Sequence, residues 1–227
     1  MTSAFPFIQT GKRGRTRDQL LVAAQRLLLE HSAASLGIRQ IAAEAGMVHG
    51  SFYNYYASIE ALIGDLGDLF VMGHALVVGQ LRASAADMID VFALTTRQTL
   101  RFVCDSPGYG RLLFDAGLPV DRFIGGLRTS LAADIARGME SGAFHVDNPD
   151  TGVSIVAGSI LGITLDLHRR RLDRSAIDSA TADLLVILGV PREIAVQAST
   201  TQVDFLPPPP LPLRWQALGV DVEQPTA

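Results

Sequence analysis

The chain of 227 residues is 48% hydrophobic and 19% charged, with a mean hydropathy of +0.26; that composition excludes a disordered protein, which could not bury enough apolar surface to offset chain entropy. A single cysteine, Cys104, excludes an intramolecular disulfide framework and a multi-cysteine metal site, and reads as a small buried apolar residue. The net charge of −4 argues against nonspecific nucleic-acid binding by the whole surface, yet residues 1–56 hold six basic residues (Lys12, Arg13, Arg15, Arg17, Arg26, Arg39) against Asp18, Glu30 and Glu44. A basic head is therefore joined to an acidic body, and clustered charge sets the local field.

In chain order, the basic cluster follows the apolar stretch AFPFI, the reverse of a secretory signal, and residues 1–15 read as a basic arm. Thr16 with Gln19 three residues later predicts a capping box. Leu20, Ala23, Ala24, Leu27 and Leu28 form the i, i+3, i+4, i+7, i+8 stripe of an amphipathic helix. Ser58 heads a further helix with Glu60 in its first turn. Asp87 and Asp90, one turn apart, read as a solvated face. Ser106-Pro107 and Asn148-Pro149 each pair an N-cap residue with proline at the first helical position.

The longest apolar run, 153–167, is interrupted by Asp166 and falls short of the roughly 20 residues a spanning helix needs. Arg169, Arg170 and Arg171 follow it, where cations suit the helix dipole. Ser175 with Asp178 opens another helix that closes near Gly189, and Pro191 begins a short last one. Beyond residue 200, FLPPPPLPLRW must be extended, because consecutive prolines lack donors. Its PPLPLR matches a short PxxPxR pattern, but the favoured reading is a tail lying across its own body with Phe205 and Trp215 as anchors. About nine or ten helices and no strand are expected, an all-α protein in the cytoplasm without a membrane span.

The functional signal lies in residues 36–56, LGIRQIAAEAGMVHGSFYNYY. Ile38, Ile41, Ala42 and Ala45 give a short helix a buried face, with Gly37 as its N-cap. Gly46 supplies the permissive backbone of a sharp turn. A second short helix starts at Val48 or His49 and buries Phe52 and Tyr56. Two short helices on a tight glycine turn form a helix-turn-helix, whose second helix enters the major groove. Tyrosine hydroxyls can donate to phosphate, and Ser and Asn can reach phosphates or base edges.

The stretch Ile41–Leu62, IAAEAGMVHGSFYNYYASIEAL, resembles the DNA-binding domain of the TetR family of transcriptional regulators, whose pattern is roughly IAxxAGVSxGxxYxYFxxKxxL. The resemblance implies an all-helical protein with a basic arm at 1–15, a three-helix DNA-binding domain at 16–57, a ligand-binding and dimerisation domain at 58–199, and a Pro-rich tail at 200–227. It implies DNA contacts from Arg15, Arg17, Arg39, His49, Gly50, Ser51, Tyr53, Asn54 and Tyr55, and a packing role for Tyr56. Two positions depart from the pattern. Val48 replaces the usual Ser or Thr cap, a loss of about 1 kcal/mol of helix stability, and Ile59 replaces a phosphate-contacting lysine.

In the body, no GxSxG, phosphate-binding loop or HExxH occurs, and the five histidines show no metal-ligand spacing. No cofactor, metal or catalytic residue is expected. The resemblance implies an effector pocket, for which Phe70, His74, Phe92, Phe102, Cys104, Phe114, Phe123 and Leu127 are candidate linings, with His74, Arg97 and Arg128 as polar anchors. Few fixed charges there suit a mostly apolar ligand. It also implies a two-fold dimer through the last two long helices, at Ser154, Ala157, Gly158, Leu161, Gly162, Leu165, Leu184 and Leu188.

The sequence thus reads as a homodimeric, ligand-responsive repressor of a near-palindromic operator, released when a small molecule separates the recognition helices. Two alternatives stand beside it: an interaction module whose helix-turn-helix no longer binds DNA, and a small helical enzyme. Effector, operator and regulated genes are not legible in the sequence, nor is the choice between repression and activation.

Overall fold

The computed structural model describes residues 12–118, 120–215 and 218; most of the predicted arm, residues 1–11, lies outside them. Among the described residues the chain is helical with no strand. It divides into two compact units, the first taking residues up to Gly73, Leu112–Val120 and the chain from Pro209, the second His74–Arg111 and Asp121–Pro208.

In the first unit, α1 (Lys12–Glu30) begins four residues earlier than the capping-box reading predicts. Thr16 is therefore inside the helix, and Lys12–Arg15 form its opening turn. Lys and Arg are good helix formers, so nothing in that segment stops the helix from extending back. Leu20, Leu21, Ala24 and Leu28 are fully buried along its inner face. Helix α2 (Ile38–Glu44) packs against α1. Gln40 Oε1 accepts the Gly37 N–H at 2.8 Å, closing the one half of a capping box open to a glycine N-cap.

The C-terminal segment belongs to the same unit and supplies its own packing. Leu213 and Trp215 are buried. A proline-rich segment has few N–H groups to offer, and Gln25, fully buried on α1, captures one of them. Its amide accepts the Leu213 N–H at 2.7 Å and donates to the Leu213 carbonyl at 2.8 Å. Asp18 Oδ1 accepts the Trp215 N–H at 3.4 Å. Trp215 is thus an anchor, as the sequence reading has it.

Helix α3 (Ile59–Arg82) follows Ser58, whose Oγ accepts the Ala61 N–H at 3.3 Å. It contributes Leu62, Leu66 and Leu69 to the first core and Val77, Val78 and Leu81 to the second unit. In that second unit, α4 (Met88–Asp105) is the central element, buried at every position from Val91 to Leu100. Asp87 is its N-cap, accepting the Asp90 N–H at 2.9 Å, so this acidic pair is a cap and not only a solvated face.

The remaining elements are α5 (Pro107–Gly110), a wider helical turn at Arg111–Asp115, α6 (Val120–Glu140), α7 (Pro149–His168), α8 (Ala176–Ile187) and α9 (Arg192–Thr200). Helices α7, α8 and α9 all pack on α4. Asn148 caps α7 by accepting the Thr151 N–H at 3.0 Å. Ser106 and Ser175 make no side-chain cap; Asp173 Oδ1 instead accepts the Ser175 N–H at 2.7 Å. Gly138 lets α6 meet Phe144 closely, since a Cβ there would stand 2.0 Å from the ring.

At the helix level, α3 and α7 are each long and apolar enough to cross a membrane, so the run length alone does not exclude a span. Val153, Val156 and Ile160 of α7 are buried in the core of the second unit.

A second glutamine repeats the device of Gln25. Gln98, fully buried on α4, accepts the Leu206 N–H at 3.0 Å and donates to the Leu206 carbonyl at 2.9 Å. Replacing Gln98 by Ala strands both backbone groups, and the expected loss is about 2 kcal/mol. Urea unfolding checks this, with proteolysis of the 201–208 segment expected to accelerate alongside.

Candidate nucleic-acid interface

Gly46, at φ +70°, turns the chain sharply after α2. The following segment, His49–Asn54, is a tight 3₁₀ helix with Val48 as an uncapped, exposed N-cap. The pattern predicts a short helix here, and the narrower winding accompanies the missing Ser or Thr side chain at Val48. Phe52 and Tyr56 are buried; His49, Gly50, Tyr53 and Asn54 are exposed, and Ser51 and Tyr55 are half-buried. The Tyr53 ring stands edge-on to His49 and Phe52, with centroids at 5.7 and 5.8 Å, so its hydroxyl projects from a ring that is itself supported.

One network holds this segment in place. Arg17 Nε donates to the Tyr56 hydroxyl at 3.1 Å, that hydroxyl donates to Asp65 Oδ2 at 2.8 Å, and Arg17 also forms an ion pair with Asp65. Burial first, then the Asp65 carboxylate, holds the Tyr56 hydroxyl far above the ordinary tyrosine range, so it is a permanent donor. Helix α1, the end of the recognition segment and α3 are thereby tied together. This corrects the reading of Arg17 as a DNA contact: its guanidinium is committed within the protein.

Arg15 and Arg39 are exposed. Arg13 donates to the Asn54 carbonyl at 3.3 Å, which brings the opening turn of α1 to the recognition segment. Asp65 escapes sequence reading because nothing local pairs it with a tyrosine nine residues earlier.

The predicted pocket residues are divided between the two units. Phe70 and Phe114 belong to the first unit and the others to the second. His74 lies between Phe102 and Phe123, at centroid distances of 5.3 and 5.5 Å. Its Nε2 is 2.9 Å from Thr99 Oγ1, and that hydroxyl donates to the Thr95 carbonyl at 2.7 Å. The hydroxyl proton being used, Thr99 accepts, which fixes the proton of a neutral His74 on Nε2. Burial pulls the imidazole down to about 4.

Phe92 and Leu127 pack in the hydrophobic core, Phe92 against Phe144. Cys104 is half-buried, and burial pushes its thiol up, consistent with an unreactive apolar role. Of the anchors, Arg97 is paired with Asp178 at 2.9 Å and Arg128 donates to Ser154 Oγ at 3.2 Å.

On the predicted dimer face, Ser154, Gly158 and Gly162 are exposed, and Leu161 and Leu165 are half-buried. Ala157, Leu184 and Leu188 are buried within the core and cannot meet a partner. The outward register instead presents Ile155, Val186 and Ile187, which are 47, 39 and 46% exposed. Among the described residues, no group of three or more His, Cys, Asp or Glu could hold a metal.

A short exposed helical segment that follows α2 across a tight glycine turn is the helix-turn-helix arrangement that DNA-binding proteins use. Two family models match: bacterial regulatory proteins of the tetR family over residues 20–66, and the tetracyclin repressor-like C-terminal domain over residues 87–199. The chain belongs to this family. Its fold is similar to that of RolR in complex with resorcinol, with 24% identity, TM-score 0.68, and coverage of 85% of this chain and 97% of that one. It is also similar to NalD, the secondary repressor of the MexAB-OprM multidrug efflux pump in Pseudomonas aeruginosa, with 18% identity, TM-score 0.61, and coverage of 78 and 97%. The family is one of DNA-binding transcription regulators.

Two measurements test these groups. Arg17→Ala leaves the half-buried Asp65 unpaired and is expected to cost about 2–3 kcal/mol in urea unfolding. For His74, the native imidazole stays neutral down to about 4 while the unfolded one protonates near 6.5. The unfolded state therefore binds more protons in that window, and stability falls as pH drops from 6.5 towards 4, by up to about 1.4 kcal/mol per pH unit. Unfolding of His74→Gln across the same pH range lacks that slope.

Proposed function

We propose that the protein is a dimeric repressor that reads a near-palindromic operator through His49, Gly50, Ser51, Tyr53, Asn54 and Tyr55, with Arg15 and Arg39 on flanking phosphates. The observation that carries this is the exposed, ring-supported Tyr53 on a segment fastened from below by Phe52 and by the Tyr56–Asp65–Arg17 network. Rigid support under a polar surface is what phosphate positioning requires.

The second copy meets α7 and α8 at Ile155, Gly158, Leu161, Gly162, Leu165, Val186 and Ile187. Small residues let helices approach, and apolar exposure on two adjacent helices suits a self-complementary interface. A two-fold dimer places two recognition segments about one DNA turn, or a multiple, apart. The effector is a small, mostly apolar molecule with one polar group, received by Phe102, Phe123 and His74, whose Nδ1 is an acceptor. The resorcinol held by RolR makes a small phenol the first effector to try. A regulator of this kind works in the cytoplasm, where its operator is.

Selection from a random duplex library tests the reading. A palindrome is expected to be enriched, with affinity falling as salt rises by about 0.9 log units per log unit of salt for each phosphate contact. Tyr53→Phe keeps the ring packing and removes only the hydroxyl, so it should weaken binding without changing stability. Ile187→Asp should yield a monomer in sedimentation and lose operator affinity. A folded dimer that enriches no sequence at low salt would instead be the interaction module.

A further inference from the structure

A polar cleft lies in the second unit, and His74 is not among the residues that line it. It has a volume of about 690 Å³ and is lined by Arg97, Arg101, Asp178, Thr200, Gln202, Val203, Asp204 and Phe205. Its arginines differ in how well they are satisfied. Arg97 is bonded to Asp178 at 2.9 Å and to the Thr201 carbonyl at 2.8 Å. Arg101 has a buried Nε with no hydrogen-bond partner, and Asp105 Oδ2 stands 4.0 Å away. Asp105 is itself engaged by Arg174.

Burial, with Arg174 and Arg97 as neighbouring like charges, pushes the Arg101 guanidinium down from its ordinary value, though it remains a cation. The Phe205 ring faces both guanidinium groups, at 4.2 Å from Arg101 and 4.8 Å from Arg97. With its Nε buried, Arg101 meets a ligand in the cleft through its terminal nitrogens. A planar guanidinium donates two parallel hydrogen bonds to a carboxylate.

We propose that this cleft binds a small aromatic monocarboxylate, its carboxylate on Arg101 and its ring beside Phe205. The room available suits a molecule of one or two rings. Asp178 and Asp204 line the same space and repel a second negative charge, which favours a monocarboxylate over phosphate. The wall that carries Phe205 is the extended segment fastened by Gln98 to Leu206, so the ligand would also order that segment.

Calorimetric titration of the full-length protein with benzoate, in the absence of DNA, tests the proposal independently of operator binding. Inorganic phosphate at matched ionic strength serves as the comparator. Saturable binding of benzoate and not of phosphate is expected, weakened about tenfold or more by Arg101→Gln. Chemical-shift mapping on the wild-type protein gives a second readout should that variant fold poorly. Perturbations centred on Arg101, Gln202 and Phe205 support the site, and perturbations centred on His74, Phe102 and Phe123 overturn it. So do the absence of benzoate binding, an equal response to both anions, or unchanged affinity in a folded Arg101→Gln protein.

Discussion

The recognition surface depends on one charged network, in which Arg17, Tyr56 and Asp65 satisfy each other at the meeting of three helical elements. A six-residue 3₁₀ segment cannot hold its own geometry, because so short a helix is marginal in water. Its position is imposed from beneath, by Phe52 in the core and by the Tyr56 hydroxyl locked between a cation and an anion. A half-buried ion pair of this kind contributes little net stability over an apolar alternative, but breaking one member leaves an uncompensated charge. The network therefore acts more as a specifier of position than as a source of stability. That is the property a DNA-reading segment needs, since its contacts must be placed before DNA arrives.

The body solves a different problem. Helix α4 is buried on all sides over ten residues yet carries Thr95, Thr96, Arg97, Gln98 and Thr99 in succession. An interior polar run survives only if each group is answered. Thr95 and Thr99 donate back to carbonyls one turn earlier, Arg97 is met by Asp178 and the Thr201 carbonyl, and Gln98 takes both backbone groups of Leu206. The extended tail is therefore part of the core's polar accounting. Proline-rich chain offers few donors, and the two leucines Leu206 and Leu213 are where the two buried glutamines find them.

The sequence reached the helix-turn-helix because its information is local. Gly46, the Phe52–Tyr56 spacing and the exposed tyrosines all fall within one motif, and the alternation of buried and exposed residues there follows helical period. The caps at Ser58 and Asn148 were legible for the same reason, whereas the Asp87 cap was taken for a solvated face. Arg17 was misread because charge alone does not say whether a guanidinium faces phosphate or Asp65. The start of α1 was misplaced because a capping pattern competes with helix-favouring Lys and Arg before it. Of the residues predicted for a dimer face, Ala157, Leu184 and Leu188 obey the small or apolar pattern but are buried in the core, because on helices with two apolar sides periodicity cannot say which side is the core. The glutamine clamps, separated from their leucines by more than a hundred residues, left no trace in any window.

His74 answers to the same rule as the polar residues of α4: a polar group held between aromatic rings must have its hydrogen bonds settled. Its Nε2–H goes to Thr99, whose own proton goes to the Thr95 carbonyl. Burial keeps that imidazole neutral down to about 4, so Thr99 fixes one tautomer and leaves Nδ1 as an acceptor. What this side chain can discriminate is therefore set by hydrogen bonding rather than by charge, which apolar packing against Phe102 and Phe123 alone does not provide.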